Sequence, residues 1–268
     1  MCRLLGVVSS ETTTYGFSLR RAKKSLAALS RAHPDGWGLA VHARGRGWST
    51  QRHAACAGDD HRFDALAGSV EGETLVAHIR KKTVGPQRVE NTHPFRRGRW
   101  VFAHNGTLHD LTHITQRTSA ARAAEVEGDT DSERYFAHVL TALDEAGGDP
   151  VRERAALVDV VRPLVADPPF AGSGGANFLL GDGETLYAFR LGRTLHVLDR
   201  NPGHAVRLER RFEETVLETR WSARRNAVLV ASEPMTDEPW EEIGSGSLVA
   251  IHGGARPVLE PLFTAAAG

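Results

Sequence analysis

The order of segments along the chain predicts an α+β fold in which antiparallel sheets are covered by helices. Short strand-like runs occupy the first and last parts of the chain, and two long helical stretches lie between them without a regular strand–helix–strand alternation. With 268 residues and 41% hydrophobic content, the chain can bury one large core. No internal repeat, low-complexity tract or linker divides it, so a single domain over residues 2–268 is expected.

Arg3 to Ser9 is a short apolar run with β-branched residues, consistent with a strand that buries the chain terminus. Apolar spacing across Phe17, Leu19, Leu26 and Leu29, with Arg20, Arg21, Lys23 and Lys24 between them, predicts one amphipathic helix. After the loop His33-Pro34-Asp35-Gly36 come strand-like runs at Trp37–His42, Leu75–Ile79 and Trp100–His104. Helices are expected at Asp131–Glu145, with Thr130 as N-cap and Glu133 three residues on, and at Arg152–Val165, with proline closing the second. Strands return at Phe178–Leu180, Thr185–Leu191, Leu195–Leu198, Val228–Ala231 and Leu248–Ile251, with turn signals at Gly181-Asp182-Gly183 and Asn201-Pro202-Gly203.

Composition narrows the function. Lys plus Arg equals Asp plus Glu at 33 each, so no net field draws the chain to nucleic acid or an anionic membrane, and a small ligand is the expected partner. No apolar run approaches the roughly 18 residues of a membrane span, and the first residues lack the features of a signal peptide, so a cytoplasmic location is expected. Cys2 and Cys56 are too few for a disulfide framework and fit a reducing compartment. The 13 histidines show no metal-binding spacing; neither a metal nor a cofactor is expected.

Removal of Met1 would leave Cys2 with both a thiol and a free α-amino group. The amine titrates near about pH 8 and a free thiol near about 8.5, so one residue can supply nucleophile and base. Attack on an amide would then form a thioester and release ammonia or an amine. The strand Trp100–His104 ends in Asn105-Gly106, which can offer a side-chain NH₂ and a backbone N–H to an oxyanion, or form a plain Asn-Gly hairpin turn. Leu75–Ile79 delivers Arg80, suited to bidentate capture of a carboxylate or to the surface. Asp131, at a helix start, can bind an ammonium group or serve only as a cap.

Together these segments resemble the class II (Ntn-type) glutamine amidotransferases: Met1-Cys2, Pro34-Asp35-Gly36-Trp37-Gly38, Ala77-His78-Ile79-Arg80-Lys81-Lys82-Thr83, Asn91-Thr92-His93-Pro94-Phe95, His104-Asn105-Gly106 and Thr130-Asp131-Ser132-Glu133 occur in the family's order. Ala231-Ser232-Glu233-Pro234, Trp240 and Gly246–Ile251 look like the end of the stand-alone, YafJ-like branch. The resemblance implies a four-layer αββα sandwich, the Ntn hydrolase fold. It also implies Cys2 as nucleophile and, through its amine, base; Asn105 and Gly106 as oxyanion hole; Arg80 and Asp131 as clamps on the substrate carboxylate and amine; and Thr83 in the same pocket. Lys81 and Val84 stand where synthase-fused members commonly carry tryptophan and histidine.

Three functions follow from the resemblance: an amidohydrolase acting on glutamine or a γ-glutamyl compound, a glutaminase subunit passing ammonia to a separate synthase partner, and a catalytically silent glutamine-binding protein. Other features have plainer expected roles. Cys56 is a small structural residue, His93 makes a structural hydrogen bond, Arg96-Arg97-Gly98-Arg99 is a solvated turn, and Gly172-Ser173-Gly174-Gly175 is a flexible connection without the spacing of a phosphate loop.

Overall fold

The computed structural model describes residues 2–166, 174–200, 208–212, 215–219 and 226–265. β1 (Arg3–Thr14) runs beyond its apolar start, because Thr13 and Thr14 still stand opposite Gly72 and Glu71 of a neighbouring strand. The single helix expected from Phe17 to Leu29 is instead a turn of helix at Phe17–Arg21 and a separate α1 (Leu26–Ser30). Ser25 makes the break: its hydroxyl donates to the Arg20 carbonyl at 3.1 Å and accepts from Ala28 N at 3.3 Å, capping the next helix.

β2 (Gly36–Ala43) and β3 (Gly47–His53) form a hairpin, followed by α2 (His61–Ser69) and β4 (Glu71–Arg80). α2 is not among the elements expected from the sequence. Asp60 starts it, accepting from Arg62 N at 3.0 Å while also accepting from the buried Trp37 Nε1 at 3.0 Å. β5 (Phe95–Arg97) and β6 (Trp100–Gly106) turn at Gly98, whose φ of 56° favours glycine. The arginines of that turn are not merely solvated: Arg97 pairs with Glu133 at 3.0 Å, and Arg99 pairs with Glu153.

Two short helices, α3 (Thr112–Arg117) and α4 (Ala120–Ala124), precede the long α5 (Asp131–Ala146) and α6 (Pro150–Ala166). The remaining strands are β7 (Ala176–Gly181), β8 (Thr185–Arg190), β9 (His196–Arg200), β10 (Leu208–Phe212), β11 (Thr215–Thr219), β12 (Ala227–Ala231), β13 (Glu241–Glu242), β14 (Ser247–His252) and β15 (Val258–Phe263). The turn expected at Asn201-Pro202-Gly203 and part of the connection at Gly172–Gly175 lie outside the described residues.

One sheet has the order β13-β9-β12-β1-β4-β2-β3 and the other β15-β14-β8-β7-β6-β5, while β10 and β11 pair with each other; all pairings among the described strands are antiparallel. Side-chain alternation sorts the core into three apolar layers. Leu5, Val7, Leu39 and Ala77 face Leu26 of α1 and Phe63 of α2, whereas Leu4, Val8, Ala40 and Val76 face Val101, Ala103 and Leu179 of the second sheet. Phe102, Phe178 and Phe189 face Tyr135 and Phe136 of α5 and Leu157 of α6. The architecture is the expected αββα sandwich of the Ntn hydrolase fold.

His78 and His93 are also buried, with ring centroids 4.4 Å apart, and His93 lies 4.5 Å from Phe95. Among the described residues neither buried ring nitrogen of His93 has a hydrogen-bond partner, in place of the structural hydrogen bond expected of it, and the ring packs against aromatic neighbours.

Two predictions follow from this packing. Phe102 is fully buried and stacks on Phe136 with centroids 5.1 Å apart, so Phe102→Ala should cost about 3–5 kcal/mol in a urea titration. Burial holds His78 down to about 3 and His93 well below its ordinary value, helped by Arg80 and neighbouring imidazoles. Both stay neutral when folded but take protons when unfolded, so stability is intact above about pH 6.5 and falls as the pH drops toward the folded values. The loss should reach about 1.4 kcal/mol per histidine near pH 5.5. Thermal melts near pH 7.5 and pH 5.5 check this, with a lower Tm expected in acid.

Candidate active site

Strand alternation determines which side chains can meet. Cys2 lies two residues before Leu4, which faces the layer between the sheets, so the alternation of β1 carried one step beyond its first residue gives Cys2 that same face. On β4, Arg80 follows Val76 in the same alternation, and on β6, Asn105 follows Val101 and Ala103. Arg3 stands opposite Ile79, which brings Cys2 and Arg80 to adjacent strand ends. Nucleophile candidate, cation and amide donor thus converge at one end of the sandwich.

Cys2 Sγ rests on the main chain of Lys81, accepting from its N–H at 3.3 Å and donating to its carbonyl at 3.4 Å. Burial pushes the thiol above its ordinary value; the Lys81 amide and the Arg80 charge oppose this, and the Asp131 carboxylate adds to it. The sulfur is therefore a thiol at neutral pH, and attack needs a base beside it. Lys81 contributes through backbone atoms, so the lysine found at this position leaves the sulfur contact unchanged. Val84 likewise acts through its carbonyl.

Arg80 is 3% exposed, and burial lowers its pKa. Its Nη2 donates to Val84 O at 2.7 Å and Gly85 O at 3.4 Å, and its Nη1 to Pro86 O at 3.1 Å. Of the five guanidinium donors, these three contacts leave two without a partner among the described residues. Thr83 is exposed, with its hydroxyl 3.3 Å from that of Thr107.

Asn105 and Gly106 do not form a hairpin turn. They complete β6, opposite Asn177 and Ala176 of β7. Glycine is required at 106 by close approach: a Cβ there would lie 1.8 Å from Gly175 O and 2.7 Å from His104 Nε2. Asp131, the first residue of α5, accepts from Leu108 N at 2.7 Å, while His104 Nδ1 lies 2.8 Å from Ser132 Oγ. These two contacts tie the start of α5 to β6 on either side of Asn105-Gly106. Thr130 caps α5 as expected, accepting from Glu133 N at 3.3 Å. Glu133 does not return to the cap residue; it accepts from Glu127 N at 3.1 Å and Gly128 N at 2.6 Å.

Several residues of this corner were not assigned roles from the sequence, although they lie within the motifs singled out. Asp35 accepts from Lys82 N at 2.8 Å. Asn91, fully buried, donates to Pro86 O at 3.0 Å and accepts from Asp129 N at 2.8 Å, joining the segment held by Arg80 to the start of α5. Ser232 accepts from Leu4 N at 2.9 Å and from Asn105 Nδ2 at 3.4 Å. Cys56 lies apart from these contacts, with its sulfur 3.4 Å from Ser30 Oγ. No helix among the described residues is long and apolar enough to cross a membrane.

Comparison with known proteins places the chain among characterised folds and families. The MJ1515 protein of Methanocaldococcus jannaschii is 29% identical over 266 residues, covering 95% of this chain and 70% of its own. The γ-glutamyl-hercynylcysteine sulfoxide hydrolase of Mycobacterium tuberculosis is 28% identical over 265 residues, covering 94% and 93% of the two chains. A class II domain protein from Silicibacter pomeroyi shares the fold, with a TM-score of 0.60 at 20% identity over 98% of this chain and 100% of that one. The family model for class II glutamine amidotransferases matches residues 1–265, and the chain belongs to that family.

Proposed function

We propose that the protein is an amidohydrolase that cleaves the side-chain amide of glutamine or of a γ-glutamyl compound through a thioester on Cys2. The observation that carries this reading is the placement of Cys2 Sγ on the Lys81 main chain, where it feels both the Arg80 charge and the Asp131 carboxylate. With Met1 removed, the α-amine of Cys2 takes the thiol proton and the sulfur attacks the amide carbon. Asn105 and the Gly106 amide stabilise the tetrahedral oxyanion, and the amine returns the proton to the leaving nitrogen. Water then hydrolyses the thioester, releasing the glutamyl group and restoring the thiol.

Arg80 takes the substrate carboxylate through its uncommitted donors, Asp131 takes the amine, and Thr83 lines the same pocket. An apolar acyl group would leave that charged pair unsatisfied, which favours an amino-acid head group. On this reading residues 2–268 work as one domain in a reducing, cytoplasmic setting that keeps Cys2 a free thiol. The name of the mycobacterial relative supports a γ-glutamyl conjugate as substrate, ahead of glutamine hydrolysis coupled to a separate synthase.

Incubation with 6-diazo-5-oxonorleucine should label Cys2, as read by peptide mass spectrometry; modification at Cys56 alone would refute the assignment. Asn105→Ala should lose at least about a hundredfold in kcat, the usual size for one oxyanion donor. A screen of glutamine, glutathione and other γ-glutamyl amides for ammonia or amine release should show preferential cleavage of a conjugate. Faster release from glutamine than from every conjugate would instead favour the glutaminase reading.

A further inference from the structure

Ser232 follows the last residue of β12 and is 4% exposed. Its backbone N–H donates to Leu4 O at 3.1 Å, and its hydroxyl oxygen accepts from Leu4 N at 2.9 Å. One residue therefore holds both backbone groups of Leu4, two positions from the proposed nucleophile, with a side chain filling the rung where β12 has ended. Thr194 Oγ1 fixes Ser232 from behind by donating to its carbonyl at 2.8 Å. From the opposite sheet, the Asn105 Nδ2 amide donates to the same Ser232 oxygen at 3.4 Å.

We propose that Ser232 is a positioning residue of the reaction, its hydroxyl setting the Asn105 amide at a fixed orientation relative to the strand that carries Cys2. The inference rests on the oxyanion role given above to Asn105. A hydroxyl oxygen has two acceptor sites, and here both receive N–H groups, one from β1 and one from β6. The Asn105 NH₂ thus spends one hydrogen on Ser232 and keeps the other for a ligand oxygen. The 3.4 Å separation lies at the long end of the hydrogen-bond range. Placement matters because an error of about 1 Å in such a group can cost about a hundredfold in rate. A residue that only ended β12 would have no need to reach the second sheet.

A double-mutant cycle on the full chain, using the best substrate from the screen, separates positioning from structural support. Ser232→Ala should lower kcat about 10- to 100-fold with KM changed less than about threefold, and Ser232→Thr, which keeps the hydroxyl, should recover most of the loss. Asn105→Ala combined with Ser232→Ala should be no slower than Asn105→Ala alone. The rate of Cys2 alkylation by iodoacetamide should stay near that of the parent, while the Tm of Ser232→Ala falls because the buried Leu4 N–H loses its acceptor. Multiplying losses in the double variant, or a fall in kcat matched by an equal fall in the alkylation rate, would overturn the proposal while leaving the amidohydrolase reading intact. Full turnover in Asn105→Ala would instead remove the oxyanion assignment, and the proposal with it.

Discussion

The dry layer between the two sheets is the constraint on which the rest depends. Leu4, Val8, Val76, Val101, Ala103 and Val230 fill it and set the spacing and phase of the sheets. Each buried Val or Leu contributes about 1.5–3 kcal/mol, whereas a typical polar contact at the strand ends contributes about 0.5–1.5. The apolar layer therefore holds the sheets together, and the polar contacts only orient what the layer has already brought close. Alternation transmits that phase to the strand ends, so Cys2, Arg80 and Asn105 lie at the same end of the sandwich as a consequence of where Leu4, Val76 and Ala103 are buried. A one-residue slip of β1 would turn Cys2 toward the helices.

Much of this was legible in the sequence where a signal is local. The apolar run ending in Asn105-Gly106 marked a strand that stops at a polar pair, and Thr130 marked the cap of α5; both stand in the structure. Two helical features escaped because their causes are short and polar. Apolar spacing continues across Ser25, although the Ser25 hydroxyl divides the segment, and α2 follows a cap, Asp60, whose second partner is Trp37 on another strand. Ser232 could be noticed as part of a motif but not interpreted, since its partners Leu4 and Asn105 are distant in sequence and adjacent only after the sheets form.

Arg97 shows how a long-range contact changes the meaning of a residue. In the sequence it belongs to a basic turn. In the fold it meets the Glu133 carboxylate, which also accepts from the amides of Glu127 and Gly128 just before α5. The β5–β6 turn thereby supports the segment that ends at Asp131. Charge-assisted contacts at a largely buried carboxylate are stronger than the exposed ion pairs elsewhere on this chain.

Asn91 carries this support to the loop held by Arg80. Its amide binds Pro86 O and Asp129 N, while Arg80 binds the carbonyls of residues 84–86, so these two stretches of loop and the first turn of α5 form one cross-braced frame. A frame held by its own internal hydrogen bonds gives up little conformational entropy on binding, so on the proposed reading more of the contact energy remains as affinity and selectivity.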